Sequence, residues 1–105
     1  MKNLKRTLEK FGKETTQLIR RDIRYKKLVK TGKLVGSIDF KVVNRNNSYE
    51  IEFFMVEYGK FLDEGTRYIK AQNFFKDNID DQLKKWQNDF LDAMAKDLFS
   101  VFDNI

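Results

Sequence analysis

The chain contains no cysteine, no histidine and no proline among its 105 residues. Without cysteine no disulfide can form, and without thiolate or imidazole donors the common zinc sites have no ligands. A Cys–His pair and a Ser–His–Asp triad are excluded for the same reason, and we expect the protein not to be an enzyme. The absence of proline fits long helices and regular strands, because proline interrupts both.

Oxygen ligands for magnesium or calcium are the remaining route to a metal site, since such sites need only carboxylates and carbonyls. The candidates are the neighbours Asp63 and Glu64 and the group Asp77, Asp80 and Asp81. The spacing of an EF-hand is missing. The last three aspartates fall in the first turns of a predicted helix, where the helix dipole favours negative charge. The sequence therefore predicts no metal and no cofactor.

Long apolar runs are also missing. No stretch approaches the roughly 18 apolar residues that span a membrane, and no hydrophobic leader follows Met1, so no membrane association is predicted. Hydrophobic residues nevertheless make up 41% of the chain and aromatic residues 14%. That composition is sufficient for one modest core, and we expect a single domain over residues 1–105.

The charge is distributed unevenly along the chain. Residues 1–33 hold twelve Lys or Arg and three Asp or Glu, whereas residues 34–105 hold nine and thirteen. A basic N-terminal third could bind nucleic acid through its phosphates. It could equally bind the acidic part of a neighbouring subunit in a head-to-tail assembly. Composition alone leaves both alternatives open.

Two long helices are predicted at the ends of the chain. Over residues 2–27 the apolar side chains recur every three or four positions, with basic residues on the remaining positions. Gly12 is a mild defect in this helix, costing about 1 kcal/mol relative to alanine. A second amphipathic pattern runs over residues 74–102, and Asn73 is its predicted N-cap.

The centre of the chain predicts a small antiparallel sheet. Residues 38–43 and 49–55 alternate between apolar and polar side chains and are joined by a polar turn, which is typical of a β-hairpin. Before them, Gly32 and Gly36 predict a break between helix and strand. After them, Thr66 to Ile69 has strand character, and Gly65 is expected to need positive φ or a close backbone approach.

Three short blocks carry a resemblance to a known family. They are Thr31-Gly32-Lys33-Leu34-Val35-Gly36-Ser37-Ile38, the segment from Tyr58 to Arg67 (YGKFLDEGTR) and Ala71-Gln72-Asn73-Phe74-Phe75. In order and spacing they resemble the head–tail joining and tail-completion proteins of long-tailed bacteriophages, which include relatives of the lambda-type minor tail protein Z. Members carry proline where this chain has Asn73, and often another at Lys70. None of the three blocks is catalytic.

The resemblance implies an α+β fold. We expect an N-terminal helix, an antiparallel sheet of about three to four strands, and a long C-terminal helix packed on one face. It also implies a structural protein of the virion, at the head–tail (neck) interface or the top of the tail. There it would form a ring of identical subunits around the DNA channel and enable head–tail joining or tail completion. The alternative is a small nucleic-acid-binding module that acts through its basic N-terminal helix.

The implied partners are copies of the same chain and other neck or tail proteins: the connector, the tail terminator and the tail tube. Non-specific contact with packaged DNA is also expected, but no small-molecule substrate. The protein would reside in the virion, and in the host cytoplasm during assembly. The residues expected at subunit or neighbour interfaces are Phe61, Gly65, Thr66, Arg67, Phe74 and Phe75. Those expected to contact DNA phosphates are Lys13, Arg20, Arg21 and Arg24.

Overall fold

The computed structural model describes residues 2–28, 31–46 and 48–103, without the side chains of Thr31 and residues 100–103. It is an α+β fold with four helices and one hairpin in these ranges. The elements in chain order are α1 (Lys2–Tyr25), α2 (Thr31–Ser37), β1 (Asp39–Arg45), β2 (Ser48–Phe54), α3 (Glu57–Glu64) and α4 (Lys76–Asp103). The predicted helices at both ends and the predicted hairpin are confirmed.

Helix α1 lies at the centre of the fold because the other elements pack around it. Its apolar stripe buries Phe11, Ile19 and Ile23 completely. A Cβ atom at Gly12 would stand 2.3 Å from the ring of Phe40 on strand β1. Gly12 is therefore not the mild defect that the sequence suggests, since the Phe40 ring packs against the helix where glycine leaves out a side chain.

The segment between Gly32 and Gly36 forms a short helix, where the sequence predicted a break. Both glycines are exposed, while Leu34 and Val35 between them are buried in the core. The Ser37 hydroxyl then accepts a hydrogen bond from the Val56 amide at 3.0 Å, which ties the end of α2 to the start of α3. Burial of the two apolar side chains is the favourable term that outweighs the poor helix propensity of glycine.

The sheet consists of the hairpin alone. Strands β1 and β2 pair antiparallel, with Phe40 opposite Phe53 and Val42 opposite Ile51. Of the predicted turn at residues 44–48, Asn47 lies outside the described residues. The prediction of three to four strands is wrong, because the described residues contain two, and Thr66 to Ile69 forms a turn instead.

Helix α4 packs chiefly along α1 in the antiparallel direction, and the hairpin also packs chiefly on α1. The long C-terminal helix was expected on one face of the sheet, so its main partner differs from the expectation. Phe11 joins the layers, since its ring lies edge-on to Phe53 at 5.8 Å and to Phe90 at 5.2 Å between centroids. Edge-to-face aromatic pairs of this kind stabilise beyond the area that they bury.

Polar contacts fix the register of α1 on α4 at several places, one of them a hydrogen bond from Asn78 Nδ2 to Asp22 Oδ2 at 3.1 Å. Near the middle, the Glu14 carboxylate accepts hydrogen bonds from Gln82 Nε2 at 2.8 Å and Trp86 Nε1 at 2.6 Å. At the far end, Asp97 accepts hydrogen bonds from the backbone amides of Asn3 and Leu4, each at 2.9 Å. Asp97 thus caps the N-terminus of a helix that lies more than 90 residues away in sequence.

Candidate interaction surfaces

The segment from α3 to α4 is organised by one buried side chain, Asp63, which is 3% exposed. Its carboxylate accepts hydrogen bonds from the amides of Phe75 at 2.8 Å and Lys76 at 3.3 Å. These amides lie at the N-terminus of α4, where backbone donors have no partner within the helix. Asp63 therefore caps α4, and the predicted cap Asn73 does not; its backbone has a φ of 53°.

The loop between α3 and α4 closes on itself through backbone contacts. Gly65 has a φ of +80°, and a Cβ atom there would lie 2.7 Å from the Ala71 amide nitrogen. Both predicted requirements at Gly65, positive φ and close backbone approach, are thus confirmed. The Gln72 amide donates to the carbonyl of Leu62 at 2.9 Å, which returns the chain to α3.

Thr66 builds a tight turn where the sequence predicted a third strand. Its hydroxyl accepts hydrogen bonds from the amides of Tyr68 at 3.2 Å and Ile69 at 3.1 Å. Its own amide donates to the Ile69 carbonyl at 2.8 Å. Threonine side chains compete in this way with the ladder of a sheet, which explains why the strand-like composition does not give a strand.

Helix α3 and this loop together expose apolar side chains, which we call the loop patch: Phe61, Tyr68 and Ile69. Their exposed fractions lie between 40% and 87%. Arg67 stands beside it, with its guanidinium 5.7 Å from the centroid of the Tyr68 ring. Of the residues predicted at an interface, Phe61, Thr66 and Arg67 are exposed in this segment and Gly65 is half-buried. Tyr68 and Ile69 were missed, because their pattern was taken for a strand.

The other two predicted interface residues are placed differently. Phe74 is completely buried in the core with Ile19, Ile23 and Leu34, so it offers no surface to a neighbour in the folded chain, and its assignment is corrected. Phe75 is partly buried and packs against the same core. The Ala-Gln-Asn-Phe-Phe block therefore packs on the core and leads into α4. It contributes little to a contact surface.

A second apolar surface runs along α4, beside the side that packs on α1. We call it the α4 stripe: Leu83, Leu91, Met94 and Leu98. Their exposed fractions lie between 45% and 56%. Leucine and methionine recur here at helical spacing without a packed neighbour, although the sequence predicted some of these positions as core.

The basic side chains expected at DNA all lie on α1. Lys13, Arg21 and Arg24 are exposed, and within the described ranges none of them forms an ion pair. Arg20 is half-buried, and its guanidinium donates to the Ile38 carbonyl at 2.5 Å. Three of the four side chains are therefore available to an anionic partner, while Arg20 also fastens the start of β1 to α1.

The acidic side chains of the described residues do not form a metal centre. Within these ranges no group of three or more Asp or Glu side chains converges to hold a cation. A groove of about 400 Å³ lies between α1 and α4 and is lined by charges of both signs, including Arg6, Lys10, Asp89 and Asp92. None of the helices in the described part of the chain is long and apolar enough to cross a membrane.

Comparison with known proteins gives no relatives: no family model, no curated protein and no solved structure matches the chain.

Proposed function

We propose that the protein is a structural assembly protein of a long-tailed bacteriophage, located at the head–tail (neck) interface or the top of the tail. It would form a ring of identical subunits around the DNA channel and enable head–tail joining or tail completion. Its partners would be the connector, the tail terminator or the tail tube, reached in the host cytoplasm during assembly. It would act without catalysis, cofactor or small-molecule substrate.

The observation that carries the proposal is the structural role of the segment from Tyr58 to Phe75. Its buried carboxylate, Asp63, caps a helix, and its glycine, Gly65, closes a loop. The segment places the loop patch at the surface. A rigid loop with exposed apolar side chains suits a protein–protein contact, and the resemblance to joining proteins lies in this same segment.

The proposal is tested by removing the protein from a phage that encodes it and examining the particles by electron microscopy. We expect filled heads and separate tails, or tails of abnormal end structure, and a loss of infectivity. Supplying the wild-type chain in trans should restore joining. Supplying a Phe61→Ser/Tyr68→Ser variant should not. Normal infectious particles in the absence of the protein would refute the proposal.

The nucleic-acid-binding alternative is favoured by one observation, the unpaired cations of α1. Lys13, Arg21 and Arg24 are exposed along one side of a helix about 36 Å long at 1.5 Å per residue. A gel shift with duplex DNA over a salt series tests it. Tight binding by a monomer at about 200 mM salt, lost in Lys13→Glu/Arg21→Glu/Arg24→Glu, would favour this alternative.

A further inference from the structure

Two apolar surfaces remain uncovered after the chain has folded, the loop patch and the α4 stripe. Together they expose seven large side chains, of which Tyr68 is 87% exposed and Leu91 and Leu98 are each 56% exposed. Soluble monomers rarely leave contiguous apolar surface of this kind without a binding partner. Each surface is built on a fixed element, the capped loop or the long helix, so neither needs to order itself on binding.

One copy cannot cover its own α4 stripe with its own loop patch. The loop joins α4 at the helix N-terminus, next to Lys76. At a rise of about 1.5 Å per residue, Leu91 lies about 22 Å and Leu98 about 33 Å further along the helix. The molecule is 59 Å long and only 23 Å wide, so these positions stay distant from the loop. Contact between the two surfaces therefore requires two molecules.

The loop and helix α4 carry net charges of opposite sign. Arg67 and Lys70 flank the loop patch and form no ion pair within the described ranges. On α4, Asp80 lies on the same side of the helix as the stripe, one turn before Leu83, and also lacks an ion-pair partner in that part of the chain. Helix α4 as a whole carries seven aspartates against four lysines. Such complementarity favours docking of the one surface on the other and disfavours contact of either with itself.

Resting on the proposed ring assembly, we infer that the loop patch of one copy binds the α4 stripe of the next copy. The contact joins two different surfaces, so an open row of bound copies keeps one free loop patch at one end and one free α4 stripe at the other. Addition of copies then continues until the chain of subunits closes into a ring. Tyr68 supplies the aromatic anchor, and Met94 supplies an adaptable thioether beneath it.

The absence of cysteine allows a direct test by engineered disulfides. A Tyr68→Cys/Met94→Cys chain, oxidised mildly, is expected to give a ladder of dimers, trimers and larger species on a non-reducing gel. Mixing the two single variants should give cross-linked dimers only. The control Tyr25→Cys/Met94→Cys replaces a tyrosine that is also exposed, at 83%, but lies at the end of α1. It should cross-link at least about tenfold less, because a disulfide requires the two Cα atoms to approach within about 7 Å.

Charge exchange tests the same contact without a covalent bond. Arg67→Glu/Lys70→Glu is expected to weaken self-association, measured by sedimentation at low salt, by about tenfold or more. Asp80→Lys should do the same. Mixing the two variants should restore association, because each then meets the opposite charge on the other. Circular dichroism checks that the variants, all at exposed positions, keep the wild-type fold.

Three results would overturn the inference. Dimers formed by Met94→Cys alone, with no ladder from the double variant, would show a symmetric pairing of α4 with α4. Charge variants that associate like wild type would remove the electrostatic argument. A chain that stays monomeric at low salt and gives no cross-link would show that the two surfaces do not meet. If joining fails in the phage test while the ladder forms, the virion location is wrong and the contact stands. If a Tyr68→Cys/Met94→Cys chain joins heads to tails normally but gives no ladder, the virion location stands and the contact between the two surfaces is wrong.

Discussion

Asp63 has the largest structural role of any single carboxylate in the candidate surface. It is buried, belongs to α3, and accepts hydrogen bonds from two amides at the start of α4. A carboxylate at this place also interacts favourably with the positive end of the helix dipole. The hydrogen bonds of Asp63 therefore hold the loop patch in place, although Asp63 is not a member of the patch.

Replacing Asp63 with alanine is expected to lower the free energy of unfolding by about 1–2 kcal/mol, the usual cost of removing an N-cap. Urea unfolding followed by circular dichroism measures it. Asp77→Ala is the matched control, because Asp77 lies in the first turn of α4, the helix that Asp63 caps, but is exposed. Equal stability of the two variants would contradict the capping role.

Gly12 is the residue at which helix propensity and packing disagree. Gly12→Ala should gain about 1 kcal/mol of helix propensity but destabilise by about 1–3 kcal/mol through overpacking, since the new Cβ meets the Phe40 ring at 2.3 Å. Thermal and urea unfolding measure the net loss. In Gly32→Ala nothing lies within 4 Å of the new Cβ, so stability should stay equal or rise. A stabilised Gly12→Ala would show that the hairpin does not need this approach.

The contact between helices α1 and α4 includes two carboxylates, Glu14 and Asp97, that are held in their charged form. Hydrogen bonds from Gln82 and Trp86 lower the pKa of Glu14, opposed in part by burial. Burial alone would raise the pKa of Asp97, but the amides of Leu4 and Asn3 outweigh it and the pKa is lowered. Both groups thus bind their protons less tightly in the folded chain than in the unfolded chain.

A carboxyl group whose pKa is lower in the folded chain stabilises the fold at pH values above its unfolded pKa. This stabilisation is lost as the pH falls through its folded pKa. We expect the free energy of unfolding to decline below about pH 4.5, the ordinary value of Glu, and further below the ordinary 3.8 of Asp. Glu14→Gln/Asp97→Asn should be less stable at pH 7 and show a shallower decline. A pH profile of unfolding that matches wild type would contradict the role of these two groups.

The whole molecule is elongated because two helices of more than twenty residues set its length and only one hairpin lies beside them. Phe11 connects the hairpin to α4 across α1, through its contacts with Phe53 and Phe90. We infer that loss of this side chain affects all three layers together, because none of them packs extensively without α1.

Phe11→Ala should lower the free energy of unfolding by about 3–5 kcal/mol, as for other buried aromatic residues. Near-ultraviolet and far-ultraviolet dichroism should show one shared unfolding transition. Leu98→Ala, on the exposed α4 stripe, is the control and should change stability by less than about 0.5 kcal/mol. A small effect of Phe11→Ala, or unfolding of the hairpin apart from the helices, would contradict its connecting position.

The sequence alone determined the features that depend on neighbouring residues. The three-four spacing of apolar residues gave both long helices, and alternation gave the hairpin, because helix and strand periodicity are local properties. The conformation of Gly65 was also predicted, since it follows from the steric freedom of glycine. The tertiary structure decided the partners of polar groups: Asp97 caps a helix more than 90 residues away, and Asp63 caps one that begins 13 residues later, and neither contact leaves a periodic signal.

Tertiary structure also decided which apolar residues are covered. Phe74, which the sequence predicted at an interface, is buried in the core, whereas Met94, in the apolar pattern of the C-terminal helix, remains exposed on α4. The third strand was lost because the Thr66 hydroxyl bonds its own turn. The break at Gly32 and Gly36 became a helix because Leu34 and Val35 find a core. In each case a contact with a distant element, or the lack of one, outweighs the local preference, and only the packed chain contains that information.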